Sequence, residues 1–339
     1  MYAHEPPPPA QMILLLGGFR ISQALYAAAV LGVADQLAAG PAPADVLAEH
    51  TGADAPSLHR LLRTLASVGV FTEPEPGVFA LTPLGQTLTS SQPGSMRDVA
   101  IMFMETHYAP FGDLLHTIRT GQPAAEHYYG KPFFSWLSDH PEQAGRYTAA
   151  MANLTGGFKT AAISSLPLDG IKMIVDVGGA DGTVLAAILT AHPQLRGVLF
   201  DLPHVISDGP RTLARHGVED RAECAGGDFL ESVPPGGDAY LLSLVLHDWP
   251  DDQARHILAN VAAAAGGGSG ARLLVLDFMV PPGDAPHMAK ISDLNMLAMM
   301  GGKERTETEW RELLTAAGFA RIGILQTGTP FSIIQATAQ

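Results

Sequence analysis

Two hydrophobic periodicities divide the chain. From Gln11 to about Ser165 apolar positions recur at intervals of three and four, the spacing of helices. In 11-QMILLLGGFRISQALYAAAVLGVADQLAAG-40 they cover most of the helical circumference, which implies burial on more than one side. Residues 43–88 read as helix, turn and a second helix over 56–68, then a short hairpin, VFTEPEPGVFALT, with a proline-glycine turn. That is the outline of a winged helix-turn-helix.

From Ile171 onward short continuous apolar runs alternate with helical segments. The runs are 171-IKMIVDV-177, 197-GVLFDL-202, 221-RAECAG-226, 239-AYLLSLVL-246, 271-ARLLVLDFMV-280, 321-RIGILQT-327 and 331-FSIIQA-336. Such strands predict an α/β fold, a mostly parallel sheet covered on both faces. The last two runs are close enough for a hairpin, placing an antiparallel strand at one edge. The boundary between the halves falls near 164-SSLPLDG-170, giving domains 1–165 and 166–339. The segment 262-AAAAGGGSGA-271 lies between a helix and a strand and reads as a surface loop.

Composition then narrows the partners. A chain of 339 residues, 47% apolar, fits two domains with ample core. Its net charge of −14 opposes nucleic-acid binding, which needs clustered Lys and Arg. Residues 43–88 alone carry five acids, two arginines and no lysine, so the helix-turn-helix outline reads as packing or dimerisation, not DNA contact. The single cysteine, Cys224, has no intramolecular partner, which suits a reducing, cytoplasmic setting. The opening MYAHEPPPPA lacks the cations and apolar stretch of a secretory signal, and no apolar run approaches the roughly 18 residues of a membrane span.

Candidate chemistry gathers where strands end. The first strand of the second half runs into 176-DVGGADG-182, whose glycines allow a sharp turn and close approach of a ligand to the main chain. The G-x-G-x-x-G spacing of a dinucleotide cradle is absent, which favours a nucleoside ligand without a diphosphate. Asp201 closes the next strand, 25 positions after Asp176, where a carboxylate can accept from both ribose hydroxyls; such an acid serves nicotinamide and adenosylmethionine folds alike. The third strand leads into 226-GGDFLES-232, offering Asp228 to an adenine amino group and Phe229 to the purine face. Each acid alone could be a cap or turn residue, but three in succession outline an adenosine site along one sheet edge. After the fourth strand comes 246-LHDWPDD-252, with His247 either a base or a capping histidine. Asp248 either contacts the cofactor or caps the following helix, and Trp249 reads as packing.

The series DVGGADG, FDLPHVI at 200–206, GDF at 227–229, LHDWPDD and GGKERT at 301–306 resembles the S-adenosylmethionine-dependent O-methyltransferases of the caffeic acid and hydroxyindole type, over nearly the whole chain. The resemblance implies a class I methyltransferase sheet behind a helical, winged-helix-like dimerisation domain. It implies S-adenosylmethionine as cofactor and S-adenosylhomocysteine as product. It also implies a homodimer and a hydroxylated aromatic small molecule as substrate. Carried over by position, Gly178, Asp201, Leu202, Gly227, Asp228, Phe229, Ser243 and Asp248 would touch the cofactor. His247 would be the base, flanked by Asp277 and Glu304, and Met104, His107, Tyr147, Met151, Met296 and Met300 would face the substrate. Plant relatives usually have Glu where Asp277 stands and Lys at Ser243, a shorter acid and a lost ammonium.

The methyl group of a sulfonium is already activated, so the protein's task is to align an oxygen behind it and remove a proton. With an ordinary pKa near 6.5, His247 would be a largely available base at neutral pH, and a carboxylate at its other ring nitrogen would fix its tautomer. The unaltered motif around Glu304 favours it over Asp277 for that role. No histidine spacing suits a metal, and none is expected. Two other readings remain: a hydroxylase or decarboxylase that keeps the fold and cofactor, and a ligand-sensing DNA regulator, disfavoured by the acidic composition.

Overall fold

The computed structural model describes residues 6–266 and 270–338; the first five residues of the N-terminal stretch and the centre of the expected loop at 262–271 lie outside these. Two compact units result, Met1–Gly112 with Phe134–Gly156, and Asp113–Phe133 with Gly157–Gln339. The sequence pattern predicts one boundary near 165, whereas the contacts give Asp113–Phe133 to the sheet. Helices Leu114–Thr120 and Ala124–Tyr129 pack there on helix Met288–Met299.

The first unit is built on helices Gly18–Leu31, Ala44–Thr51 and Ala55–Ser67. The last begins where the Asp54 carboxylate accepts the Ser57 N–H at 3.0 Å, with Pro56 in its first turn, two start signals acting together. Its Leu58, Leu62 and Leu65 recur at four and three residues and bury against Leu47, Phe71 and Phe79. The wing predicted from sequence is present as β2 (Phe71–Glu75) and β3 (Val78–Leu81), joined through left-handed Gly77 and extended by a short β1 (Ala42–Pro43). Helix Pro8–Leu16 buries none of its residues, and Ile13, Leu15 and Leu16 are exposed. Among the described residues no single helix is long and apolar enough to cross a membrane; only the bent pair Pro8–Leu16 and Gly18–Leu31, inclined at 41°, reaches that length together.

The second unit contains β4 (Met173–Val177), β5 (Arg196–Asp201), β6 (Ala222–Gly226), β7 (Ala239–Ser243), β8 (Arg272–Val280), β9 (Arg305–Thr306), β10 (Phe319–Gln326) and β11 (Phe331–Ala338). The sheet order is β10-β11-β8-β7-β4-β5-β6, with β9 paired to β8. From β4 to β8 the pairing is parallel, and β11 is the antiparallel strand. The terminal hairpin predicted from sequence forms this border of the sheet: β10 is outermost and pairs antiparallel with β11. Alternate residues bury on opposite faces: Val175, Leu242, Val275 and Ile334 meet helices Asp251–Ala265 and Glu307–Ala316, while Ile174, Leu241, Leu274 and Ile333 meet Leu185 and Ile188. From β4 the chain steps to β5 and β6 on one side, then returns to β7 and β8 on the other. The C-terminal ends of β4 and β7 therefore flank the point where strand order reverses, where open α/β sheets hold ligands.

Candidate active site

The glycine loop after β4 is shaped by what a side chain would strike. Gly178 has φ +72°, and a Cβ there would lie 2.8 Å from Val245 Cγ2; one on Gly179 would lie 2.5 Å from Leu199 and 2.7 Å from Asp176 Oδ2. The neighbouring Ala180 holds φ +50° and donates its N–H to Asp201 Oδ2 at 2.9 Å, while Leu202 donates to Asp201 Oδ1 at 2.7 Å. Asp201 is thus aimed along the loop with one acceptor site engaged on each oxygen, and burial raises its pKa. Asp228 accepts the Leu230 N–H at 2.8 Å, and Asn260 clamps the same turn through the carbonyls of Phe229 and Leu230. Phe229 meets Trp249 edge to face at 5.8 Å, and Trp249 packs on the core, as its packing role predicts. Gly227 is half-buried and Leu202 is exposed beside them.

The run 239–246 does not continue as a strand. It stops at Ser243, Leu244 adopts φ +56°, and Leu246–Asp248 form a single 3₁₀ turn. A bulky residue in the left-handed region costs about 1–3 kcal/mol, and here it turns His247 back over the sheet edge. The imidazole is buried. Its Nδ1 lies 2.9 Å from Glu304 Oε1 and 3.3 Å from Asp277 Oδ1; Nε2 lies 3.6 Å from Asp248 Oδ1. Glu304 therefore makes the hydrogen bond, and Asp277 flanks it while accepting the Phe278 N–H at 2.9 Å. Asp248 does not cap helix Asp251–Ala265, which starts at Pro250 without a side-chain cap, so of its two expected roles only a place beside the site remains.

Burial alone would lower the His247 pKa, but Asp277, Asp248 and Glu304 together reverse that and raise it to about 10. The expectation of a largely neutral imidazole near pH 7 fails because sequence cannot show three carboxylates converging on one ring. Asp277 in turn is pushed up by burial to about 7, against the pull of His247. Nδ1, Asp277 and Glu304 offer ligand atoms within 4.8 Å of one another, a spacing that a proton on Nδ1 already bridges.

Several residues that sequence reasoning passed over complete this cluster. Ser292 donates to Glu304 Oε1 at 2.6 Å, and Asp293 accepts the Glu304 N–H at 2.9 Å. Arg305, fully buried, binds the carbonyls of Leu246 at 2.9 Å and Trp249 at 3.0 Å, and pairs with Asp251. Lys303 donates its N–H to the His247 carbonyl at 2.8 Å, and a Cβ on Gly302 would sit 2.1 Å from that same oxygen. The GGKERT and LHDW segments are interlocked through their backbones. Asp176 was also passed over: it is fully buried, neither oxygen has a hydrogen bond among the described residues, and burial raises its pKa to about 7. An acid inside an otherwise apolar strand was the available signal.

Of the substrate-facing candidates, Met104, His107, Tyr147 and Met151 belong to the first unit. There His107 is buried, its pKa lowered to about 4 by desolvation, with its ring parallel to Tyr147 at 6.4 Å. Met296 and Met300 belong to the second, on and just after the helix that carries Ser292.

Residues 111–320 match the model of the O-methyltransferase domain, and residues 13–91 match the O-methyltransferase dimerisation domain. The chain belongs to the O-methyltransferase family. It is 42% identical to a phenazine O-methyltransferase of Lysobacter antibioticus over 96% of this chain and 95% of that one. It is also 34% identical to an aclacinomycin 10-hydroxylase of Streptomyces purpurascens over 95% and 89%. The structure of an O-methyltransferase from neocarzinostatin biosynthesis, in complex with S-adenosylmethionine and 2-hydroxy-5-methyl naphthoic acid, matches with TM-score 0.81 and 36% identity over 94% and 96% of the two chains. The enzyme is an S-adenosylmethionine-dependent O-methyltransferase. The methyltransferase fits its cofactor on three counts: glycines that leave room against the loop, carboxylates at three strand ends, and buried polar atoms at Asp176 and Ser243 without partners among the described residues.

Proposed function

We propose that this methyltransferase methylates a hydroxyl of an aromatic small molecule, with His247 as general base and Glu304 orienting it. When bound, S-adenosylmethionine supplies a methyl group on a cationic sulfur. Gly178, Asp201, Gly227, Asp228 and Phe229 hold its adenosine part, with Leu202, Ser243 and Asp248 beside them. Nε2 of His247 would accept the proton of the acceptor hydroxyl as its oxygen takes the methyl carbon and the carbon–sulfur bond breaks, its electron pair staying on the sulfur of the departing S-adenosylhomocysteine. Nδ1–H stays on Glu304, and the imidazolium that results is stabilised by Asp277 and Asp248. The observation that carries this reading is the asymmetry of the ring: Nδ1 hydrogen-bonded to Glu304, and Nε2 without a hydrogen bond among the described residues. Methionines such as Met296 suit a flat aromatic acceptor because thioethers adapt to ring faces. The molecule works as a homodimer through its N-terminal unit, supported by the dimerisation-domain match and the unburied apolar helix Pro8–Leu16. Light scattering should read twice the 35.7 kDa chain mass, and a monomer would refute it.

The enzymatic test incubates purified protein and labelled cofactor with phenols, naphthols and hydroxyphenazines. The expected product is heavier by one methylene, and His247→Ala should cut turnover by about 10² to 10⁴ while S-adenosylhomocysteine binding stays within about twofold. A product heavier by one oxygen, or full activity in His247→Ala, overturns the proposal.

A further inference from the structure

The glycine loop, Asp201 and Asp228 account for the adenosine part of the cofactor and leave its amino-acid end, an α-ammonium beside an α-carboxylate, without assigned partners. Acids are plentiful at this sheet edge and suit the ammonium; the carboxylate needs a cation. Lys159 is placed to supply one. It stands on helix Pro141–Ile163, and the residues three and four positions further on, Ala162 and Ile163, are buried in the same cluster as Ile174 and Leu185. Lys159 therefore shares the helix face that packs on the sheet. On β4, Asp176 stands two residues beyond Ile174 and shares its face of the strand.

Among the described residues the two oxygens of Asp176 are buried without a hydrogen bond, and the ammonium of half-buried Lys159 is in no hydrogen bond or ion pair with them. Burial weakens the Lys159 ammonium, and the fields of Asp176, Asp181, Asp277 and Asp248 support it. A cation held among four acids without closing on any of them keeps its donors for another anion.

We propose that Lys159 receives the α-carboxylate of the cofactor's methionyl group, with Asp176 facing the ammonium beside it. This rests on the cofactor assignment above and extends it to a residue outside the glycine loop. It gives the site one positive and one negative pole, the complement of a zwitterion, and makes the cofactor's tail part of recognition.

The test compares two ligands by calorimetry on the full-length chain: S-adenosylhomocysteine, which carries the amino-acid end, and 5′-methylthioadenosine, which lacks it. In Lys159→Ala, S-adenosylhomocysteine should bind about 10 to 100-fold more weakly while 5′-methylthioadenosine changes less than about twofold. Lys159→Met, which keeps the apolar stem, should behave like Lys159→Ala, and Lys159→Arg should recover part of the loss. Binding of 5′-methylthioadenosine shows in the same experiment that each variant is folded and that the adenosine site exists. Equal weakening of both ligands, or none, overturns the proposal. So does a loss confined to an aromatic carboxylic acid such as hydroxynaphthoate, which would assign Lys159 to the acceptor.

Discussion

The two parts of the site proposed along the sheet edge are built on opposite principles. At the adenosine end the acids are engaged: Asp201 takes two backbone N–H groups and Asp228 one, and Asn260 ties down the Asp228 turn. At the reacting end buried polar atoms stand without partners among the described residues: both oxygens of Asp176, the Ser243 hydroxyl, and the second oxygen of Asp277 and of Glu304. An engaged carboxylate is positioned before the ligand arrives and recognises it at little cost. An orphaned one is costly in the empty protein and gains partners only with the ligand or the reaction. Affinity should therefore reside mainly at the first end, and rate and pH sensitivity at the second.

The pH profile gives the widest test of that division. With the His247 pKa near 10, the neutral imidazole is scarce at pH 7, so turnover should climb about tenfold per pH unit and level off near pH 10. S-adenosylhomocysteine affinity should stay nearly flat over the same range. A rate already flat above pH 7 would mean that the occupied site returns His247 to its ordinary pKa. Gly302→Ala comes next: its Cβ would press on the His247 carbonyl and shift the turn, lowering turnover about 100-fold with 5′-methylthioadenosine binding unchanged. Equal loss of both would blur the two ends into one. Asp201→Asn should do the reverse, weakening the cofactor about 10 to 100-fold while turnover at saturation moves less than about threefold.

Smallest in size is a stability effect. Asp176 has a folded pKa near 7, above its unfolded value near 3.8, so its ionisation penalises the fold increasingly as pH rises from 4 to 7 and constantly above that. Asp176→Asn should then raise the melting temperature by several degrees at pH 8 and leave it unchanged at pH 4, in the absence of cofactor. A lower melting temperature at pH 8 would mean that Asp176 is paired after all.

Much of this was legible in the chain. The switch from helical to strand spacing near Ile171 located the sheet, and the strand-end acids marked the edge at which we place the adenosine, because both depend on local order. The choice of Glu304 over Asp277 rested on motif integrity, and Glu304 makes the shorter contact with Nδ1, 2.9 Å against 3.3 Å. What escaped was non-local. The run LLSLVL looks like unbroken strand, yet left-handed Leu244 ends it, a conformation fixed by its surroundings and not by leucine. Lys159 sits in a helix of ordinary composition, and only the burial of Ala162 and Ile163 shows which face of the helix it stands on. The basicity of His247 needed the meeting of residues 247, 248, 277 and 304, which no single stretch contains.

The interlock of LHDW with GGKERT has a consequence for how this region opens. The Lys303 amide donates to His247, and the Arg305 guanidinium spans Leu246 and Trp249, so neither segment can detach while the other stays folded. The two should behave as one cooperative unit although His247 and Lys303 are 56 positions apart. In native-state hydrogen exchange the Lys303 and Asp248 amides should share a single opening free energy.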